Sequence, residues 1–248
     1  MNSKSRTRAK IGPLNDGKGG LIQDNKEMSI ILNKIFSTVF TKEDLSNIPV
    51  AKVRVKDGEG IEEVRIEKKD VTKAIEKLKR NKSAGGEGMD SSFIKEIGDS
   101  LAGPLMELFN KSLLEGKVPD DWKVADVTPV YKTGSKQDPG NYRPVSLTSH
   151  VGKLMERILK EKIVEFLEEN KLLGESQHGF RKDKSCLTNL LEYSQIVADY
   201  IDNGEPVDII FLDFQKAFDK VPHERLLEKM KAHGIRGRVL EWIREWLR

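Results

Sequence analysis

Along most of this chain, apolar residues recur at helical spacing, and only three stretches carry the pattern of a strand; that ratio constrains the fold more than any other feature. Asp24 is placed to cap a helix carrying Ile30, Ile31, Ile35, Val39 and neighbouring apolar residues. Asp70 is placed to cap a second, with Val71, Ala74, Ile75 and Leu78 on one face and an end near Gly85-Gly86. Residues 101–116 read as a third, stopped by Gly116 and Pro119. Leu154, Met155, Ile158, Leu159, Ile163, Phe166 and Leu167 mark a strongly amphipathic helix. Leu187, Leu190, Leu191, Val197, Ala198 and Ile201 mark another that ends at Asn203 to Pro206, and both stripes read as core packing. Pro222 opens a helix through Met230, and Val239, Leu240, Ile243, Trp246 and Leu247 open one more.

The strand patterns are Lys123 to Lys132 and Tyr142 to Thr148, which a Gly- and Pro-containing turn joins into a hairpin, and the β-branched run Val207 to Leu212. The last lacks a polar face, so it reads as a strand buried on both sides. The expected class is therefore α+β and helix-rich. Residues 1–20, rich in Gly and charge, read as an exposed or disordered lead-in, and Thr41 to Gly60 has no regular pattern.

Composition excludes several classes. A chain of 248 residues with 37% hydrophobic content can bury a core. Its longest apolar runs, Ile30 to Leu32 and Ile209 to Leu212, fall far short of the roughly 20 residues of a membrane helix. No apolar signal region follows Met1, and Cys186 is the lone cysteine, so an intracellular protein, cytoplasmic or nuclear and without membrane contact, is expected. A net charge of +3 is too mild to establish a polyanionic partner, although Lys4, Arg6, Arg8 and Lys10 form one basic run and Arg181 to Lys184 another. Gly12 to Lys18 has the spacing of a phosphate-binding loop, but Gly19 stands where the Ser/Thr is needed and no strand precedes it. His150, His178, His223 and His233 lack metal-ligand spacing and read as packing or surface residues.

The segment Phe211-Leu212-Asp213-Phe214-Gln215-Lys216-Ala217-Phe218-Asp219-Lys220-Val221 places a carboxylate at the end of the expected buried strand, where a rigid ligand for a metal or phosphate is useful. An aspartyl-nucleophile phosphatase would need a second Asp two residues on, but Gln215 stands there. The form Asp-x-x-Lys-Ala-Phe-Asp-x-Val resembles motif A of reverse transcriptases of the non-LTR (LINE) retrotransposons. The resemblance implies that Asp213 binds two catalytic Mg²⁺ ions with help from the backbone carbonyl of Phe214. It further implies that Phe214, Gln215 and Phe218 lie beside the incoming nucleotide, with Phe218 as the bulky gate that leaves no room for a ribose 2′-hydroxyl.

Three upstream elements extend the resemblance. Val130-Tyr131-Lys132-Thr133-Gly134 followed by Asn141-Tyr142-Arg143-Pro144-Val145-Ser146-Leu147 is similar to a fingers hairpin, which implies triphosphate contacts by Lys132 and Arg143. Gln177-His178-Gly179-Phe180-Arg181-Lys182-Asp183-Lys184-Ser185 is similar to the family's Gln-x-Gly-Phe-Arg-x-Gly-Arg-Ser, implying template contacts by Arg181, Lys182 and Lys184. It departs from that pattern at Asp183, in a place where glycine freedom matters if φ is positive, and at Lys184. Lys82-Ser83-Ala84-Gly85-Gly86-Glu87-Gly88-Met89 resembles Lys-Ser-x-Gly-Pro-Asp-Gly, with Gly86 and Glu87 departing, and a looser loop is expected there.

The implied architecture is a partial right-hand polymerase: a lead-in with one helix over 1–60, fingers over 61–206, and the start of a palm over 207–248. The implied partners are an RNA template, a DNA primer and deoxynucleoside triphosphates, with Mg²⁺ in the complete enzyme. The family's later Gly-x-x-Gln-Gly loop and aromatic-Ala-Asp-Asp hairpin do not occur in the sequence, whose only Asp-Asp pair is Asp120-Asp121. A fragment without turnover of its own is therefore expected, because one carboxylate leaves Mg²⁺ under-coordinated. The alternative is a domesticated, non-catalytic nucleic-acid-binding module.

Overall fold

The computed structural model describes residues 11–56 and 58–248, so the basic run from Lys4 to Lys10 lies outside the described residues. In chain order the elements are β1 (Leu14–Asn15), β2 (Leu21–Ile22), α1 (Asn25–Ser37), α2 (Lys68–Glu76), α3 (Ser91–Glu96), α4 (Gly98–Glu115), α5 (Asp120–Lys123), β3 (Ala125–Tyr131), β4 (Tyr142–Thr148), α6 (His150–Glu169), α7 (Cys186–Asp202), α8 (His223–Ala232) and α9 (Gly237–Trp246). A 3₁₀ turn over Pro139–Asn141 leads into β4. Helices joined to two small antiparallel pairs, β1–β2 and β3–β4, make a mixed α and β chain.

The main core is built by helices. Val71, Ala74 and Ile75 of α2, Phe109 and Leu113 of α4, Leu154 to Leu159 of α6, and Val239 and Trp242 of α9 close around Ile66 and Trp122. The Phe109 and Trp122 rings meet edge to face, 5.8 Å between centroids. Trp242 stacks on Trp246 at 5.6 Å and donates its indole N–H to Ser112 Oγ at 2.8 Å, and Ser112 in turn donates to the carbonyl of Lys117 at 2.5 Å. Asn110 holds Ile66 from both sides, accepting from its N–H at 2.9 Å and donating to its carbonyl at 2.8 Å. Residues 61–66 thereby reach the core without a full strand, and they are tied to the far end of the chain by Ile61 N–H to Gly234 O and Arg236 N–H to Ile61 O.

A second, smaller cluster joins Leu14, Met28, Leu32 and Tyr142, with Phe36 packed against it. Asp24 caps α1 as expected, accepting from Glu27 N–H at 2.9 Å; the helix buries Met28 and Leu32 with Phe36 half-buried beside them, while Ile30 is exposed. The sequence offers two apolar stripes on this helix, and the partner surface of Tyr142 selects between them. The described part of the lead-in is more ordered than its composition suggests: β1 and β2 pair, Leu14 is fully buried, and Asp16 accepts from the N–H groups of Lys18 and Gly20. Those bonds, that of Lys18 foremost, hold the Asp16 carboxyl below its usual range. The segment 41–60 is irregular, as its sequence indicates.

Two further expectations need correction. Helix α2 ends at Glu76, well before Gly85, and its cap is Glu67, with Asp70 closing a reciprocal capping box. Helix α7 forms over the expected residues and Asn203 ends it, yet none of its residues is buried; Leu187, Leu190, Leu191 and Ile201 are exposed. Its periodicity reports a helix, but no element among the described residues covers the stripe. By contrast, α4 stops at Gly116 in the left-handed region, φ 61°, as the sequence indicates.

The Trp242–Ser112 bond supplies a direct test of the core. Ser112→Ala leaves a buried indole N–H without an acceptor and should cost about 1–3 kcal/mol. The midpoint of urea unfolding should fall accordingly, and an unchanged midpoint would show that the bond is not formed.

Candidate nucleotide and nucleic-acid interface

The hairpin β3–β4 is in register Ala125↔Thr148 through Tyr131↔Tyr142, with Val130 opposite Arg143. Lys132 N–H donates to Asn141 O at 2.9 Å, so the ladder runs one step past the strand ends. Side chains alternate faces with period two, which puts Lys132 on the face of Val130 and Arg143. Lys132 and Arg143 are thus diagonal cross-strand neighbours, on the order of 7–8 Å apart, and both are exposed. The opposite face carries Tyr131 and Tyr142, whose rings meet at 5.9 Å. Tyr142 anchors that face in the second cluster and donates its hydroxyl to Lys136 O at 2.6 Å; burial pushes its phenol pKa up. The hairpin therefore has one anchored aromatic face and one free basic face.

The motif around Asp213 departs from expectation. Residues 205–214 form no strand, and Ile210, Phe211, Leu212 and Phe214 are between 81% and 88% exposed. Asp213 is an exposed residue on an irregular segment rather than the last residue of a buried strand. The physical reason is that β-propensity records a fit to neighbouring strands, and no described residue pairs with this run. What the structure does bring together is aromatic: Phe218 meets Phe180 edge to face at 6.1 Å, and Phe211 meets Tyr193 of α7 at 6.1 Å. Gln215 Oε1 accepts weakly from Lys220 at 3.4 Å, and Lys216 sits in the left-handed region at φ 52°. Among the described residues no three His, Cys, Asp or Glu side chains gather where they could hold a metal ion. A lone exposed carboxylate does not meet the near-octahedral demand of Mg²⁺, so these residues by themselves do not fit that ion.

The element from Gln177 to Ser185 is braced internally. His178 is buried and bonded to Thr188 Oγ1 at 2.8 Å and Glu192 Oε2 at 2.6 Å, in keeping with a packing role. Arg181 donates to Gly174 O at 3.0 Å and lies 3.8 Å from Glu168, while Lys184 donates to Glu175 O. Of the three basic residues, Lys182 alone is exposed with no bond to other described residues. Asp183 has φ 60° and Phe180 φ 62°, so the residue that stands in place of the family's glycine does occupy the left-handed region.

The loop 82–89 is pinned rather than loose. Glu87 accepts from Ser149 Oγ at 2.5 Å and from His150 N–H at 2.6 Å, covering the start of α6 with a carboxylate where the helix dipole favours one. Gly85 approaches the next strand so closely that a Cβ would lie 2.6 Å from Thr148 O. Glu87, a departure from the family pattern, is thus the residue that fastens the loop. Sequence reasoning also misses Glu43, which accepts from Glu224 N–H at 2.9 Å and Arg225 N–H at 3.0 Å and caps α8. A pairing across 181 residues leaves no local signal.

Residues 132–248 match the family model for reverse transcriptase (RNA-dependent DNA polymerase). The proteins that the chain is similar to include RNA-directed DNA polymerases of non-LTR retrotransposons. The chain is 32% identical over 163 residues to the RNA-directed DNA polymerase from mobile element jockey of Drosophila melanogaster, covering 65% of this chain and 18% of that protein. It is 30% identical over 164 residues to the jockey protein of Drosophila funebris, covering 66% and 18%. Over 123 residues it is 28% identical to the Pol polyprotein from type-1 retrotransposable element R2 of Popillia japonica, covering 50% and 17%. The chain spans less than a fifth of the length of these relatives. None of its described helices is long and apolar enough to cross a membrane.

Two substitutions test the local geometry. Glu87→Ala removes two charge-assisted hydrogen bonds and should lower stability by about 1.5–3 kcal/mol, read by thermal unfolding. Asp183→Gly relieves a left-handed backbone and should raise stability by up to about 1 kcal/mol; a fall would show that the Asp side chain earns its place by another contact.

Proposed function

We propose that the chain forms the fingers, over 61–206, and the first part of the palm, from 207, of an RNA-directed DNA polymerase that copies an RNA template from a DNA primer inside the cell. The observation that carries this reading is the register of the fingers hairpin, which gathers Lys132 and Arg143 on one free face while the tyrosines anchor the other. Two adjacent cations of different geometry suit a triphosphate: the guanidinium grips two phosphate oxygens and the ammonium adds a compact charge. Lys132 and Arg143 are therefore assigned to the incoming deoxynucleoside triphosphate. Phe214, Gln215 and Phe218 are assigned to its base and sugar, with Phe218, held against Phe180, as the group that excludes a 2′-hydroxyl.

Lys182, being exposed and unbonded, is the foremost of the three template contacts, and Arg181 and Lys184 support it by bracing the loop. Asp213 and the Phe214 carbonyl are assigned to magnesium in the longer polymerase. The described residues complete no such site, and no turnover is assigned to this chain by itself.

In a polypeptide that carries the remaining palm, Asp213→Asn should reduce primer extension on an RNA template by on the order of a thousandfold, matching several kcal/mol of lost charge stabilisation. Binding of the primer–template should persist. Extension retained at the level of the parent would refute the assignment of Asp213.

A further inference from the structure

A cleft on the side of the main core gathers five cationic side chains and a histidine among its lining residues. Lys77 and Lys79 at the end of α2, Lys82 in the pinned loop, and His150, Lys153 and Arg157 along α6 line a cavity of about 370 Å³, together with Leu78, Leu147 and two serines, and no acid. That volume lies at the lower end of the range for small-ligand sites. Several of the cations are held in place by the fold: Lys153 donates to Thr148 O at 3.2 Å and Lys77 pairs with Glu161 at 2.6 Å. Lys79 and Lys82 are exposed, and their ammonium groups have no partner among the described residues.

The second observation is His150. It is 3% exposed, it belongs to the wall of this cleft, and its Nε2 has no hydrogen-bond partner among the described residues. A buried ring nitrogen without a partner carries a desolvation cost that a ligand oxygen would remove. Its backbone N–H is already engaged by Glu87, so the ring is fixed at the first turn of α6 by the same contact that fastens the loop. Two acids lie near His150, and both are engaged outside the wall: Asp90 accepts from Ser92 N–H at 2.6 Å, and Glu87 accepts from Ser149 Oγ and the His150 backbone N–H. Glu156 adjoins Lys153 on α6 and is likewise outside it.

We infer that this cleft binds backbone phosphate of a single-stranded nucleic acid, at a site separate from Lys132, Arg143 and the Gln177–Ser185 element. Gathering like charges around a concave surface raises its positive potential, and an anion seated there is the arrangement that lowers the self-repulsion. Phosphate suits the donor set, since the unpaired ammonium groups, a guanidinium and an imidazole N–H can be shared among its oxygens. The cleft draws five Lys and Arg side chains from residues 77–82 and 150–157, more than a single phosphate group needs, which fits a polyanion better than one compact group. Lys153 and Arg157, four residues apart, fall on one face of α6 about 6 Å apart along its axis. The inference rests on the polymerase reading only in its choice of nucleic acid as the source of phosphate; a free polyphosphate is the other source of the same chemistry.

The test is fluorescence anisotropy of the 248-residue chain with a labelled single-stranded RNA between 50 and 200 mM salt. The double variant Lys82→Gln/Arg157→Gln should bind about tenfold or more weakly at low salt, with a log–log salt slope shallower by roughly 1.4 for two lost phosphate contacts. His150→Phe, which keeps an aromatic ring and removes the donor, should weaken binding in the same direction, with thermal unfolding used to verify that the variant folds. The control Lys34→Gln/Lys42→Gln removes the same charge from exposed positions elsewhere and should leave affinity and slope near those of the parent. Equal weakening by the control, or parental binding by Lys82→Gln/Arg157→Gln, would overturn the site while leaving the polymerase reading intact. No binding of RNA by the parent at the lowest salt would remove nucleic acid as the partner and count against both. If inorganic tripolyphosphate raises the Tm of the parent but not of the double variant, while the two bind RNA equally, the pocket belongs to a free polyphosphate and the backbone assignment fails.

Discussion

The buried hydrogen bond from Trp242 to Ser112, with the apolar cluster closed around it, joins segments 130 residues apart and makes one core of the helices α2, α4, α6 and α9. Everything with functional interest is hung on that core from outside. Helix α6 leaves it to present His150, Lys153 and Arg157 at the cleft. Its start is held by Glu87, and the loop that supplies Glu87 also places Gly85 against Thr148, at the end of β4. The orientation of the hairpin is therefore coupled to the helix core through a short, tightly packed corner. Because Ile61 and Glu62 bond to residues 234–239, helix α9 and the turn before it, downstream of the Asp213 segment, are part of the same unit.

The polar architecture separates two kinds of cation. Arg181, Lys184, Lys77 and Lys95 spend their charge on carbonyls and carboxylates of the chain itself, and so hold loops and helix ends in place. Lys79, Lys82, Lys132, Arg143 and Lys182 are exposed. A nearly balanced total charge thus conceals local gatherings of positive groups, among them the hairpin face, the Gln177–Ser185 element and the cleft beside α6. Net charge averages over the chain, whereas a polyanion responds to the local potential.

How much of this is legible in the sequence depends on whether the signal is local. Caps and stops are: Asp24, Gly116 and Asn203 act where their types predict, because a cap needs only its own turn. The β3–β4 hairpin is legible for the same reason, since its strands are close in sequence and its turn is rich in Gly and Pro. The position of Asp183 in the left-handed region is legible from the glycine that the family pattern has there. The buried face of α1 is not, because both of its apolar stripes satisfy the helical period and only contact with Tyr142 distinguishes them.

The sequence by itself determined the helix-rich α+β class, the hairpin that puts Lys132 beside Arg143, and the motif order that marks the reverse transcriptase family. Tertiary structure decided which periodic patterns became buried. The stripe of α7 and the run from Val207 to Leu212 are as apolar as any core segment, yet they stay exposed, because burial requires a complementary surface and none of the described elements provides one. It also decided that Glu87 fastens a loop and that cations from residues 77–82 and 150–157 share one cleft. Those contacts span more than sixty residues of chain, a distance at which neither periodicity nor spacing carries information.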